Sequence, residues 1–154
     1  MSRTLIAGFG NVLRGDDGFG VEVIRALEKR SLFPGVELME VGTGGIRLAQ
    51  ELLTPCDFLI IADAMTRGGQ PGSVYVLDVQ SVERVQEVDM HVAIPSRALS
   101  VAQALGVLPP SVYIVGCEPE HVDDLVMELS PAVRAAVGIA VERIESLLAA
   151  GVPS

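Results

Sequence analysis

Two aspartates, Asp16 and Asp17, follow a Gly8-x-Gly10 turn at the end of an apolar strand and stand where a helix must begin. An aspartate at a helix start is a good N-cap, because its carboxylate accepts a backbone N–H that the first turn leaves unpaired. One cap uses one aspartate. The second, held beside it at like charge, is either a solvated side chain or a ligand for something positive. Asp16 is assigned the structural role and Asp17 the chemical one. A third carboxylate, Asp63, ends the unbroken apolar run from Phe58 to Ala62, and His91 is one of two histidines, the other being His121. Each has an ordinary alternative, since a strand-end aspartate often serves a turn and a histidine in a polar stretch is commonly solvated. Gly42-Thr43-Gly44-Gly45 either makes a tight turn or lets backbone approach something bulky. Together, two carboxylates and one imidazole suit a borderline divalent cation while leaving coordination positions open. Open positions are what a metal-assisted hydrolysis, or docking onto a metal already held by a partner, requires.

The elements that must position these side chains follow from periodicity. Thr4 to Phe9 is an apolar strand, and Gly18 to Arg30 a helix whose Val21, Ile24 and Leu27, with Val23, form a stripe that belongs on a sheet. Val36 to Val41 reads as a second strand. Ile46 to Leu53 is a short helix with Ile46, Ala49 and Leu53 on one side, and Phe58 to Ala62 is a strand buried on both faces. Ser73 to Leu77 makes a fourth strand. The link before it is shorter than the dozen or more residues of a parallel crossover, so this strand is expected to run antiparallel. Asp78 to His91 is polar and without clear periodicity, but long enough to climb back and deliver His91 to the opposite edge. A helix opened by Pro95-Ser96 carries Leu99, Ala102 and Leu105. Ser111 to Gly116 is a fifth strand, and Ser130-Pro131 caps a final helix with Val133, Val137, Val141, Ile144 and Leu148 on its buried face. Strand and helix alternate nearly throughout, which predicts a three-layer α/β/α sandwich around a five-stranded, mostly parallel sheet with one antiparallel strand. In such a sheet the ligand edge is the one where parallel strands end, so Asp17, Asp63 and His91 converge there.

The totals limit what else the chain can be. Its 154 residues suit a single domain, 1–154, with a core large enough to need no staples. Eleven Lys and Arg against 20 Asp and Glu give a net charge of −9, with no basic cluster, which makes nucleic acid a poor partner. Cys56 and Cys117 are too few for a zinc-thiolate site. They fall at opposite ends of their strands, about 15 Å or more apart and beyond disulfide reach. The N-terminus lacks the apolar stretch of a signal peptide. No apolar run approaches the roughly 20 residues of a membrane helix, so a soluble cytoplasmic protein is expected.

Gly8-x-Gly10-Asn11-x-Leu13-x-x-Asp16-Asp17-Gly18-x-Gly20 resembles the N-terminal signature of the hydrogenase maturation endopeptidases. These trim a C-terminal extension from the large subunit of nickel-iron hydrogenase after nickel insertion. The resemblance continues in register through Gly42-Thr43-Gly44-Gly45, Ile60-Ile61-Ala62-Asp63-Ala64, His91, and Val115-Gly116-Cys117-Glu118-Pro119-Glu120, covering nearly the whole chain. Glu118 departs from the glutamine common at that position in the family. The resemblance implies that Asp17, Asp63 and His91 are the metal-contacting and catalytic residues and that Asn11, Thr43 and Gly44 line the cleft. It implies that nickel arrives with the substrate and that the partner is the hydrogenase large-subunit precursor; trimming so bulky a partner is compatible with a monomer. Two other readings are weighed against it. A Rossmann-type dinucleotide module would use Glu40 as its ribose acid, but Asn11, Leu13 and Arg14 interrupt its glycine pattern and the aspartates oppose pyrophosphate. A nickel-dependent chaperone would dock on the precursor without cutting. Within the protease reading, water attack assisted by a carboxylate or by the metal is favoured over a Cys117 nucleophile, whose surroundings in the sequence offer nothing to activate a thiol.

Overall fold

The computed structural model describes residues 3–79, 93–122 and 125–151. Strands β1 (Thr4–Phe9), β2 (Val36–Gly42), β3 (Phe58–Ala64), β4 (Val74–Asp78) and β5 (Ser111–Cys117) form one sheet in the order β2-β1-β3-β5-β4. Every pairing is parallel except that of β4 with β5. The antiparallel fourth strand follows from its short link, as expected. The helices are α1 (Phe19–Leu27), α2 (Ile46–Glu51), α3 (Ala93–Ala104) and α4 (Pro131–Gly151), with a 3₁₀ turn at Gly15–Gly18.

The strands alternate their side chains between two cores. Leu5, Ala7 and Phe9 of β1 with Leu59 and Ile61 of β3 face Leu48 and Leu52 of the α2 region and Ala98, Leu99 and Ala102 of α3. Ile6, Ile60 and Ala62 point the other way, against Phe19, Val23, Ile24 and Leu27 of α1 and Val133, Val141 and Ile144 of α4. The central strands are therefore apolar on both faces, and β1 and β3 are buried throughout. This is the expected three-layer sandwich.

Several local expectations change. Strand β3 continues through Ala64, so Asp63 lies inside the strand and not after it. Helix α1 begins at Phe19, and neither Arg14 nor Gly18, the residues before the 3₁₀ turn and the helix, makes a side-chain cap. In α2 the buried face is Leu48, Ala49 and Leu52, whereas Ile46 and Leu53 are exposed. A helix of six residues has too few turns for spacing alone to choose its face. Helix α3 starts at Ala93, two residues before Pro95, a placement tolerated because the first turn's N–H groups have no intrahelical acceptor. It ends at Ala104, which leaves Leu105 beyond its end and exposed. The polar stretch 80–92, including His91, lies outside the described residues.

Candidate active site

The order β2-β1-β3 means that the chain crosses from one side of β1 to the other, which creates a switch point where β1 and β3 end. The segment after β1 is packed tightly into that point. Gly10 has φ +129°, and a Cβ there would lie 1.8 Å from the Asp17 carbonyl oxygen. At Gly20 a Cβ would lie 2.2 Å from the Ala62 carbonyl and 2.3 Å from that of Phe9. Only hydrogen fits at either place, so the two glycines bring the Asp17 segment against the ends of both strands.

Within the loop, Asn11 acts as organiser. Its side-chain Oδ1 accepts the Leu13 N–H at 2.9 Å, and its carbonyl accepts the Arg14 N–H at 3.0 Å. The Asn11 N–H donates to Asp17 Oδ2 at 3.0 Å. One oxygen of the half-buried Asp17 carboxylate is thereby oriented by backbone. Asp63 stands in β3 next to Ala62, 6% exposed, with Gly116 of β5 as its ladder partner. Asp17 and Asp63 thus share the edge and the switch point. Among the described residues no three His, Cys, Asp or Glu side chains form a metal-holding group. The third member of the expected set, His91, lies outside those residues.

The glycine-threonine loop after β2 joins this edge through a hydrogen bond from the Gly10 N–H to the Gly42 carbonyl at 2.8 Å. Asn11 and Thr43 line a cavity of about 300 Å³ together with Gly10, Gly42, Arg25 and Arg47. Thr43 and Gly44 line a second one of about 350 Å³ with Ile46, Arg97, Ala98 and Val101. Asp17 and Asp63 line neither of these two cavities. Glu40, the acid a dinucleotide site would use, accepts instead from Arg25 at 3.5 Å. The strand order also differs from the dinucleotide-binding order, because β1 lies between β2 and β3.

Asp16 caps nothing in its own helix. Its fully buried carboxylate accepts the N–H groups of Glu120 at 2.8 Å, His121 at 2.9 Å and Ser130 at 2.7 Å, and the Ser130 hydroxyl at 2.8 Å. Burial works to raise its pKa, but these four donors prevail and hold the carboxyl below its usual range. The two adjacent aspartates are therefore divided, one latching the loop after β5 and the other held by the Asn11 N–H within the loop after β1. Sequence reasoning missed this partnership, and it also missed Glu118, whose buried carboxylate binds the loop after β3. The sequence marks Glu118 as an acid directly after an apolar strand, within the block 115–120, but not the loop it binds. Cys117 is buried and free. Burial, then the neighbouring charge of Asp16, push its thiol up to about 12, so it is no thiolate at neutral pH.

Comparison with known proteins agrees with this geometry. The family model described as hydrogenase maturation protease matches residues 21–147. The chain is 34% identical over 145 residues to the hydrogenase expression/formation protein HoxM of Cupriavidus necator, covering 92% of this chain and 71% of that protein. Its fold superposes on the hydrogenase maturating endopeptidase HybD from Escherichia coli with a TM-score of 0.84 and 31% identity, over 97% of this chain and 94% of that one. The [NiFe] hydrogenase maturation protease HybD from Thermococcus kodakarensis gives 0.80 and 30%, over 94% and 98%. On the family model, the curated relative and the shared fold together, the chain belongs to the hydrogenase maturation protease family and is a peptidase.

Proposed function

We propose that this peptidase removes a C-terminal extension from the nickel-loaded precursor of a nickel-iron hydrogenase large subunit, and that Asp17, Asp63 and His91 recognise the nickel. The observation that carries this reading is the pair of carboxylates at one switch point, Asp17 oriented by the Asn11 N–H and Asp63 set in the buried end of β3. Nickel enters as part of the substrate. Two carboxylates and an imidazole leave it open positions, so it can remain bound to the precursor while it docks. Docking places the scissile peptide in the cleft lined by Asn11, Thr43 and Gly44. Water then attacks the scissile carbonyl, assisted by one of the carboxylates as general base or by nickel as Lewis acid. The kinship with a [NiFe] hydrogenase maturation protease supports the choice of precursor.

The decisive experiment incubates the purified protein with nickel-loaded and nickel-free precursor and measures the mass of the large subunit. Loss of a C-terminal peptide in the loaded sample alone is the expected result. Tight association with unchanged mass would show a chaperone that does not cut, and equal cleavage of both samples would remove nickel from the recognition step.

A further inference from the structure

The loop between β3 and β4 leaves the sheet just beyond Asp63 and is wound on one buried side chain. Glu118, 4% exposed, follows β5 directly. Its Oε1 accepts the Arg67 N–H at 2.8 Å, the Gly69 N–H at 3.0 Å and the Tyr75 hydroxyl at 2.7 Å. Burial, and then the bond to Glu118, raise the Tyr75 pKa, which keeps the phenol protonated as a donor. The Glu118 backbone completes the clamp, donating its N–H to the Ser73 carbonyl at 2.8 Å and accepting the Gly72 N–H at 2.9 Å. Withdrawing a carboxylate from water is costly unless its bonds are good. Here the cost is met at an exposed loop, where core packing gains little from it.

The loop carries Arg67. Its guanidinium lies over the Tyr75 ring, 5.4 Å from the centroid. A guanidinium laid on a ring keeps its in-plane N–H donors for another partner, and their fork matches a carboxylate. Three arginines of this acidic chain pair with carboxylates: Arg3 with Glu37 and Glu51, Arg25 with Glu22 and Glu40, Arg30 with Glu145. Among the described residues no carboxylate pairs with Arg67. With a net charge of −9 the surface repels an acidic peptide, and Arg67, stacked on Tyr75 in the loop that follows Asp63 and the end of β3, supplies a local exception.

We propose that Arg67 is a specificity-determining residue that binds a carboxylate of the precursor's C-terminal extension, and that Glu118 is the positioning residue that holds its loop and the Tyr75 ring beneath it. This rests on the reading of the site as the one that cuts the precursor. An acidic side chain of the extension and the extension's own chain terminus offer the same chemistry.

The test is steady-state cleavage of nickel-loaded precursor by wild-type, R67A, R67K, E118Q, E118A and R67A/E118A protein, each checked for folding by circular dichroism. R67A is expected to raise KM about tenfold with kcat within about twofold, the loss of one charged hydrogen-bonding partner. R67K recovers only part of this, because an ammonium restores charge without the fork. E118Q keeps an acceptor oxygen and holds KM close to wild type. E118A raises KM as R67A does, and the double variant is no worse than E118A, since both changes remove the same contact. Additive losses would mean that Glu118 serves the fold alone and would overturn its positioning role. Should E118A fail to fold, R67A, R67K and E118Q decide the matter. Two altered precursors locate the carboxylate, one with the acidic residues of its extension changed to amides and one lengthened past its native terminus. The substrate on which R67A no longer differs from wild type contains the disrupted source, and an unchanged R67A penalty on both overturns the carboxylate assignment. An unchanged KM in R67A, with wild type cleaving, overturns the inference while the proposed function stands. No cleavage by wild type overturns both.

Discussion

Asp16 and Asp17 are neighbours in sequence with opposite assignments, and their hydrogen bonds separate them. Four donors occupy Asp16, whereas Asp17 accepts the backbone N–H of Asn11. If Asp63 serves the reaction as proposed, Asp63→Asn keeps the fold and lowers cleavage of nickel-loaded precursor by about 100-fold or more, the range of a lost general base. A folded variant that cleaves at the wild-type rate would remove Asp63 from the site. Cys117 provides the contrasting case. Its thiol, pushed up to about 12 by burial and by Asp16, stays protonated at neutral pH and fully covered. Native protein is therefore expected to leave Cys117 unmodified by a disulfide-exchange reagent, and Cys117→Ala to cleave at the wild-type rate. Peptide mapping of the labelled protein checks the first expectation, and activity the second.

At the scale of elements, the strand boundaries follow from short apolar runs bounded by turns. Strand β1 falls where periodicity puts it, β2, β3 and β5 run one or two residues further at their C-terminal ends, and β4 is displaced by one residue at both ends. Helix faces are less legible when helices are short. In α2 both Ile46-Ala49-Leu53 and Leu48-Ala49-Leu52 satisfy helical spacing, and packing against β1, β3 and α3 selects the second. The join between α1 and the sheet is stricter still. Gly20→Ala would force a methyl group onto the carbonyls of Ala62 and Phe9, neither of which can move without disturbing a strand. It is expected to destabilise by about 3 kcal/mol or more, read as a fall of roughly 6–12 °C in Tm. Gly138 lies exposed in α4, and a methyl group added there would meet nothing within 4 Å, so Gly138→Ala should instead raise stability by about 0.8 kcal/mol. Thermal unfolding of the two variants against wild type tests the contrast.

At the scale of the whole molecule, Asp16 ties the loop after β1 to the segment 120–130, which comes more than a hundred residues later. Removing this buried charge acceptor as Asp16→Asn is expected to cost about 3 kcal/mol at pH 7. The sign of its pH dependence follows from the native carboxyl being held below the ordinary value of about 3.9. On acidification the unfolded chain takes up the proton first. The contribution of Asp16 is therefore complete above about pH 5 and fades as pH falls below 4 through the native value. Urea unfolding of wild type and Asp16→Asn at pH 7 and pH 3 should show a stability gap that narrows in acid. An equal gap at both values would contradict the latch.

The sequence by itself determined the sandwich, the antiparallel fourth strand and the family, because each rests on local patterns: periodicity, link length and a signature of glycines and acids. Tertiary structure alone showed which donors Asp16 latches, those of Glu120, His121 and Ser130, and it alone showed Glu118 gathering the loop that carries Arg67. Those outcomes depend on hydrogen bonds between segments far apart in the chain, where the acceptor carries no local mark of the donor it will meet. Residue type limits what a carboxylate can do, and only the packing of strand ends determines which N–H it finds.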